Sequence, residues 1–80
     1  MQVAPNPASK FLRLNLPATS EQPAEIRIIN SNGQILKQIR TRLLAGNNQQ
    51  VIDLQNMAAG VYYAVLVTAD KTELVRFIKL

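Results

Sequence analysis

Apolar and polar residues alternate with a period of two from Phe11 to Leu16, which is the pattern of a strand with one buried face. The three leucines of this segment are predicted to point into a core, and the residues between them to face solvent. Apart from one conceivable turn between Leu54 and Ala59, nothing in the chain sustains a helical period. The pattern therefore predicts an all-β protein.

The run from Val61 to Thr68 is the longest stretch of β-branched, aromatic and aliphatic residues, and it carries no charge. A stretch this apolar predicts a strand in the middle of a sheet, buried on both faces or nearly so. Gly60 precedes it, at a point where a change of direction favours positive φ or a close backbone approach. One face is predicted to pack in the core (Tyr62, Ala64 and Leu66), and the other to be more exposed (Tyr63, Val65 and Val67).

Asn32-Gly33 lies between two further strand-like segments, residues 25–30 and 34–42. An Asn-Gly pair in this setting predicts a β-hairpin with a two-residue type I′ turn, in which both residues have positive φ. The register of the second strand stays open, because either Ile35 and Ile39 or Leu36 could face inward.

Short strands are also predicted at both ends of the chain and before the central strand, over residues 2–4, 50–54 and 72–80. Pro5, Asn6 and Pro7 predict a rigid exposed turn, because proline interrupts a ladder and restricts the residue before it. Residues 17–23 and 43–50 are polar or bracketed by prolines and are predicted as loops. Six or seven short strands separated by turns predict a small antiparallel β-sandwich.

Composition narrows the function classes. Eighty residues suffice for one small domain, and the absence of cysteine leaves its core without disulfide support. The net charge of +4 is modest and dispersed, and aromatic residues are few, so nucleic-acid binding is not favoured. No segment has the roughly 20 apolar residues of a transmembrane helix, and the first residues do not resemble a signal peptide.

Candidate chemistry is sparse. With no histidine or cysteine, the commonest general bases, nucleophiles and zinc ligands are missing. Asp53 and Asp70 are expected to stabilise turns, and the scattered carboxylates lack the spacing of a calcium loop. Four basic residues of the hairpin either form a cationic patch or protect a sheet edge from pairing, and the second interpretation is favoured (Arg27, Lys37, Arg40 and Arg42). No enzymatic activity, metal or cofactor is predicted.

Four motifs in register make the chain similar to a known family. In chain order they are Pro5-Asn6-Pro7-Ala8, Asn32-Gly33 with Gln34-Ile35-Leu36, Ile52-Asp53-Leu54 with Ala59-Gly60-Val61-Tyr62-Tyr63, and Arg76-Phe77-Ile78-Lys79. Their order and content resemble the type A C-terminal sorting domain of the type IX secretion system of Bacteroidota, over essentially the whole chain. Lys10, Met57 and Phe77 depart from the residues that are usual in that family.

The resemblance implies a small immunoglobulin-like β-sandwich, residues 1–80, that forms the C-terminal domain of a larger secreted protein. Its implied partners are an N-terminal passenger domain and the type IX machinery: outer-membrane translocon, shuttle protein and sortase. Export would run through the periplasm to the outer-membrane surface or the extracellular space. Translocon recognition is expected at Gly60, Tyr62, Arg76 and Lys79, with a closing strand that leaves an edge and one face open to a partner.

A different function stays open on the same architecture: an accessory binding or adhesion module, for example one that binds carbohydrate. Such a module would normally present a row of exposed aromatic side chains, and the candidates here are Phe11, Tyr63 and Phe77. So few aromatic residues favour the sorting signal.

Overall fold

Seven β-strands and no helix make up the protein in its computed structural model, which describes all 80 residues. The strands are β1 (Gln2–Ala4), β2 (Phe11–Ala18), β3 (Gln22–Asn30), β4 (Ile35–Leu43), β5 (Gly46–Asp53), β6 (Gly60–Val67) and β7 (Thr72–Lys79). Each predicted strand is present, and the prediction of an all-β protein with six or seven strands is confirmed.

Two antiparallel sheets pack against each other as a sandwich. One sheet has the strand order β1-β2-β5, and the other has the order β4-β3-β6-β7. Because β2 and β3, and again β4 and β5, lie in different sheets, the chain crosses between the sheets as it does in immunoglobulin-like domains. Compared with the constant-type arrangement of that fold, the fourth strand joins the sheet of β3 rather than the sheet of β1.

The core between the sheets consists of apolar side chains and the ring of Tyr62. Phe77 is its largest fully buried side chain, and the Phe77 ring centroid lies 5.8 Å from that of Tyr62. No charged residue is buried, so the core carries no unpaired charge to destabilise it.

The predicted inner faces of β2 and β6 are confirmed. The three leucines of β2 are at most 2% exposed, whereas Phe11 is 43% exposed. On β6 the residues Tyr62, Ala64 and Leu66 are buried. The other face of β6 is only half-buried at Tyr63 and Val67, although Val65 is buried. With β3 on one side and β7 on the other, β6 is a central strand, as predicted.

The predicted loop at residues 17–23 is mostly strand. β2 continues through Pro17, and β3 has already begun at Pro23, so only residues 19–21 connect them. Proline is tolerated in a strand where one side of it has no hydrogen-bonding partner. That condition holds at both positions, because β1 pairs with β2 only as far as Asn15 and β6 pairs with β3 only from Glu25.

The predicted loop at residues 43–50 is also mostly strand, since β5 begins at Gly46 and pairs with β2 over its whole length. Its polar residues have low intrinsic strand propensity, so this strand depends on its tertiary partner. Asn48 holds the corner between β4 and β5. Its side-chain amide donates to the carbonyls of Leu16 (3.0 Å) and Leu44 (2.9 Å), and its side-chain oxygen accepts the N–H of Leu44 (2.9 Å).

The β3–β4 hairpin turns at Asn32-Gly33, but the prediction of a two-residue type I′ turn is wrong. Only Gly33 has positive φ, 82°. The Gly33 N–H donates to the carbonyl of Asn30 at 3.0 Å, which is the pattern of a type I turn followed by a left-handed glycine. The Asn30 side-chain oxygen also accepts the N–H groups of Asn32 and Gln34, at 3.0 and 2.9 Å. This second set of bonds stabilises the longer, three-residue loop.

A bulge beside this turn fixes the register that the sequence left open. The β3–β4 ladder shifts between Ile28 and Ile29, and Leu36 is the extra residue on β4. Ile39 packs against the core, whereas Ile35 and Leu36 are 51% and 44% exposed. The inward set therefore includes Ile39 and excludes Leu36, and Ile35 faces solvent.

We predict that Gly33→Val lowers the free energy of unfolding by about 1–2 kcal/mol, because a β-branched residue is strained at positive φ. No atom lies within 4 Å of a Cβ added at Gly33, so the effect is conformational and not steric. Chemical denaturation measures it, with Gly33→Asn as the control because asparagine tolerates this conformation better. Equal stability of the valine variant and the parent protein would contradict the assignment.

Candidate functional site

The PNPA segment, residues 5–8, lies along the outer edge of β7. The Ala8 N–H donates to the carbonyl of Ile78 at 2.8 Å, and the Leu80 N–H donates to the carbonyl of Ala8 at 2.8 Å. Ala8 is fully buried and forms a parallel bridge with Lys79. The first and last motifs of the sequence are therefore one structural unit, in which the PNPA segment extends the four-stranded sheet.

Asn6 adds side-chain bonds to this contact. Its Oδ1 accepts the Ile78 N–H at 3.0 Å, and its Nδ2 donates to the carbonyl of Arg76 at 3.4 Å. The flanking Pro5 and Pro7 are exposed and have no N–H group, so the asparagine side chain supplies the polar groups that reach β7 here. The predicted exposed turn is present, and it is attached to the last strand.

The expectation that β7 leaves an edge open is wrong for its C-terminal half. The backbone groups of Arg76, Ile78 and Leu80 that point away from β6 are bonded to the PNPA segment. The expectation of an open face is confirmed, because Leu74, Arg76 and Ile78 are exposed on the outward side of the sheet.

Gly60 and Lys79 are cross-strand partners at the end of the β6–β7 ladder, next to Ala8. Gly60 has a φ of 158°, so the positive φ expected at this position is confirmed. A Cβ added to Gly60 would meet only the Tyr62 ring, at 3.9 Å, so no close backbone approach is seen there. We call the region of Asn6, Ala8, Gly60, Lys79 and Leu80 the terminal corner.

Tyr62 supports the terminal corner from inside. Its ring is 6% exposed and stacks on Phe77, and its hydroxyl donates to the carbonyl of Ala58 at 2.5 Å. Ala58 belongs to the exposed loop that leads into Gly60. The predicted placement is confirmed: the Tyr62 ring points inward, and Tyr63 is the more exposed tyrosine.

Arg76 and Lys79 lie on opposite faces of β7. Arg76 is exposed on the outward face, where it pairs with Tyr63 across the ladder. Lys79 is half-buried, and its Nζ donates to the carbonyl of Leu80 at 2.9 Å. The two cations therefore do not form a single patch, although both lie near the end of β7.

Carboxylates neutralise most of the hairpin arginines. Glu25 accepts hydrogen bonds from Gln38 (2.8 Å), Arg27 (2.5 Å) and Arg40 (3.3 Å), and Glu21 accepts one from Arg42 (2.6 Å). The bond from Gln38, followed by that from Arg27, lowers the pKa of Glu25 below its usual value. Lys37 instead donates to the backbone carbonyl of Asp53 in the other sheet. These contacts support the interpretation of paired edge charges over that of a free cationic patch.

Two of the three remaining carboxylates, those of Asp53 and Glu73, have structural partners, whereas the Asp70 side chain makes no hydrogen bond or ion pair. Asp53 accepts the Gln55 N–H at 2.9 Å, so its expected role in a turn is confirmed. Glu73 bonds to Lys71 at 2.7 Å and to the amino group of Met1 at 2.6 Å, and these contacts lower the pKa of Glu73. No group of three or more acidic residues is close enough to hold a metal ion.

The three aromatic candidates for a carbohydrate-binding row lie apart. Phe11 is on the outward face of β2, where the guanidinium carbon of Arg13 sits 5.7 Å from its ring centroid. Tyr63 is on the other sheet, and Phe77 is fully buried, so the expectation that Phe77 is exposed is wrong. A carbohydrate-binding module is therefore not favoured.

The structure is thus a small antiparallel β-sandwich in which the first and last motifs of the sequence meet at one strand edge. Over residues 2–79 its sequence matches the family described as the Secretion system C-terminal sorting domain, and the protein belongs to that family. The family is one of secretion signals and is not catalytic, and the domain is a sorting signal recognised by the type IX secretion machinery. Export to the outer membrane or the extracellular space follows from this function.

No curated protein matches the sequence. The structure has no helix that is long and apolar enough to cross a membrane.

The sequence predicts the PNPA segment correctly as an exposed turn, but it does not predict the attachment of this segment to β7. Hydrogen bonds between residues 70 and 72 positions apart leave no local pattern. No local signal could have found this attachment, because the requirement for a hydrogen-bond partner applies to buried polar groups and Asn6 is exposed.

We predict that Asn6→Ala lowers the free energy of unfolding by about 1–2 kcal/mol, because two hydrogen bonds to β7 are lost. Hydrogen exchange should also become faster at the Ile78 amide, which loses its acceptor. Asn56→Ala is the matched control, since Asn56 is exposed and its side chain makes no hydrogen bond. Unchanged exchange at Ile78 in the Asn6 variant would show that the contact is absent in solution.

We predict that Tyr62→Ala destabilises the domain by about 3–5 kcal/mol, the scale of a large truncation in a core. Tyr62→Phe keeps the stacking on Phe77 and loses only the bond to Ala58, so its cost should be about 1 kcal/mol. Tyr63→Ala is the positional control and should cost less than Tyr62→Ala. Thermal and chemical denaturation measure all three, and greater damage from Tyr63→Ala would reverse the assignment of the faces.

Proposed function

We propose that residues 1–80 form the single C-terminal sorting domain of a larger exported protein, and that the type IX translocon recognises its terminal corner together with Arg76. The observation that carries this proposal is the meeting of three sequence motifs. The PNPA segment, the block around Gly60 and Tyr62, and the Arg76-to-Lys79 segment are joined there by hydrogen bonds, ladder pairing and ring stacking.

Each candidate residue has a distinct part in this surface. Arg76 presents an exposed cation, and Lys79 contributes a second charge on the other face of the strand. Gly60 keeps the space beside Lys79 free of a side chain. Tyr62 acts from below, by fixing the loop at Ala58. Recognition would thus depend on both the charges and the shape of this corner.

The partners in the proposal are the outer-membrane translocon, a shuttle protein and a sortase. An N-terminal passenger domain would cross the periplasm and reach the outer-membrane surface or the extracellular space with the sorting domain attached. The sortase would then remove the domain, leaving the passenger either bound to the surface or released. The domain itself contributes recognition and no chemistry.

Charge reversal tests the proposal without removing a strand. The domain is fused, behind a signal peptide, to a fluorescent passenger in a host that carries the pathway. Arg76→Glu with Lys79→Glu should trap the passenger in the periplasm. Reversal of the exposed Arg76 should change stability by about 0.5 kcal/mol or less, and because Lys79 is half-buried, the thermal midpoint of each variant is measured beside its export. Each single reversal then shows which of the two faces matters.

Arg13→Glu is the matched control for Arg76→Glu, because Arg13 is exposed on the outward face of the other sheet. We expect this variant to be exported normally. Normal export of the folded Arg76 and Lys79 double variant would remove these residues from the recognition surface. Retention of the unmutated fusion, in a host where an established sorting domain works, would overturn the proposal as a whole.

A further inference from the structure

An apolar patch lies on the outward face of the β4-β3-β6-β7 sheet, beside a charged region that contains Glu25, Arg27 and Arg40. Cross-strand pairing places Ile35, Ile29 and Tyr63 in one row, and a second row places Val65 beside Leu74. Leu74 is 56% exposed, whereas Val65 is buried by the side chains that surround it on this face. We call Ile29, Ile35, Tyr63, Val65, Leu74 and Ile78 the outer patch.

The outward face of the other sheet is different in character. Its strands present mainly polar residues there, including Arg13, Asn15 and Gln49. Only Phe11 and Val51 are large exposed apolar residues on that side. Exposed apolar residues are common when they are scattered singly, whereas a continuous patch on one side marks an interaction surface.

Arg76 continues the row that contains Tyr63, so it borders the outer patch directly. The arginines on the other strands of this sheet, Arg27, Arg40 and Arg42, each pair with a glutamate. Arg76 has no carboxylate partner within the protein. A partner that covered the outer patch would remove the Arg76 guanidinium from water. This burial is favourable only if the partner supplies a negative charge that pairs with Arg76.

A second copy of the chain does not supply that charge. The strands of this sheet carry two carboxylates, and Glu25 is already bonded to three donors of the same face. Glu73 alternates to the inward side, opposite Leu66, and is paired with Lys71. Two copies packed patch to patch would bring two arginines together without an acceptor, and like charges at an interface oppose association.

We propose that the outer patch is the docking surface for a protein of the secretion machinery that offers an apolar face with a carboxylate placed to pair with Arg76. This inference rests on the proposed function and extends it from the terminal corner to the apolar part of the outward face of the sheet. The patch supplies the buried apolar area, and the pairing with Arg76 fixes the orientation in which the domain is presented.

Leu74 and Val51 provide a matched test, because they are 56% and 55% exposed on opposite faces of the sandwich. In the exported fusion, Leu74→Asp should lower secretion about tenfold, the scale of losing one well-placed apolar contact. Val51→Asp should leave secretion unchanged. Equal thermal midpoints for the two variants would show that the difference is not one of folding.

A photo-crosslinking amino acid then identifies what covers the patch. Placed at Tyr63, it should crosslink during export to an outer-membrane protein of the secretion machinery, and at Phe11 it should not. Normal secretion of Leu74→Asp, or an equal loss of secretion in both aspartate variants, would overturn the inference. The proposed function would still stand in either case, provided that the parent fusion is exported. A Leu74-dependent dimer in ultracentrifugation, or Leu74-dependent flotation with vesicles of anionic phospholipid, would assign the patch to another occupant and also overturn it.

Discussion

Hydrogen bonds between Ala8 and the end of β7 close one side of the sandwich, and much of the structure depends on them. No disulfide joins the two sheets, so they are held by their shared apolar core and by a few bonds at the edges. The PNPA segment directly follows β1, which belongs to the other sheet, and ends bonded to β7. It thereby anchors the strand that carries Phe77, the largest fully buried side chain. On the opposite side, Lys37 and Asp53 make a weaker, exposed link between the sheets.

Features set by short-range pattern were predictable from the sequence. The inner faces of β2 and β6 follow from strict alternation, and the hairpin follows from Asn32-Gly33, because each depends on neighbouring residues only. Features set by distant partners were not. β5 is a strand because β2 lies beside it, and Pro17 stays in β2 because β1 ends earlier. The prediction of the turn type was also wrong, because the turn depends on the side chain of Asn30, which the sequence predicts only as a strand residue.

The candidate site divides in the same way. Arg76 and Lys79 were identified from their motif, but their opposite faces follow from the odd spacing between them and from the register of β7. Tyr62 was placed correctly because an inward aromatic residue fits the alternation of β6. The attachment of Asn6, however, required knowledge of which strand edge lies next to it. The terminal corner is therefore a property of the fold, assembled from motifs that are separately weak.

The order in which the chain is made gives the contact between Ala8 and Ile78 one more consequence. Residues 5–8 are synthesised before β7, so the acceptors and donors for Asn6 and Ala8 exist only when synthesis has passed that strand. A polypeptide that ended within β7 would leave a buried Ala8 backbone without partners, and it would also lack the anchor for Phe77. A complete sandwich therefore forms only after translation has passed β7. A secretion apparatus that accepts only the finished fold would reject truncated cargo without any separate inspection step.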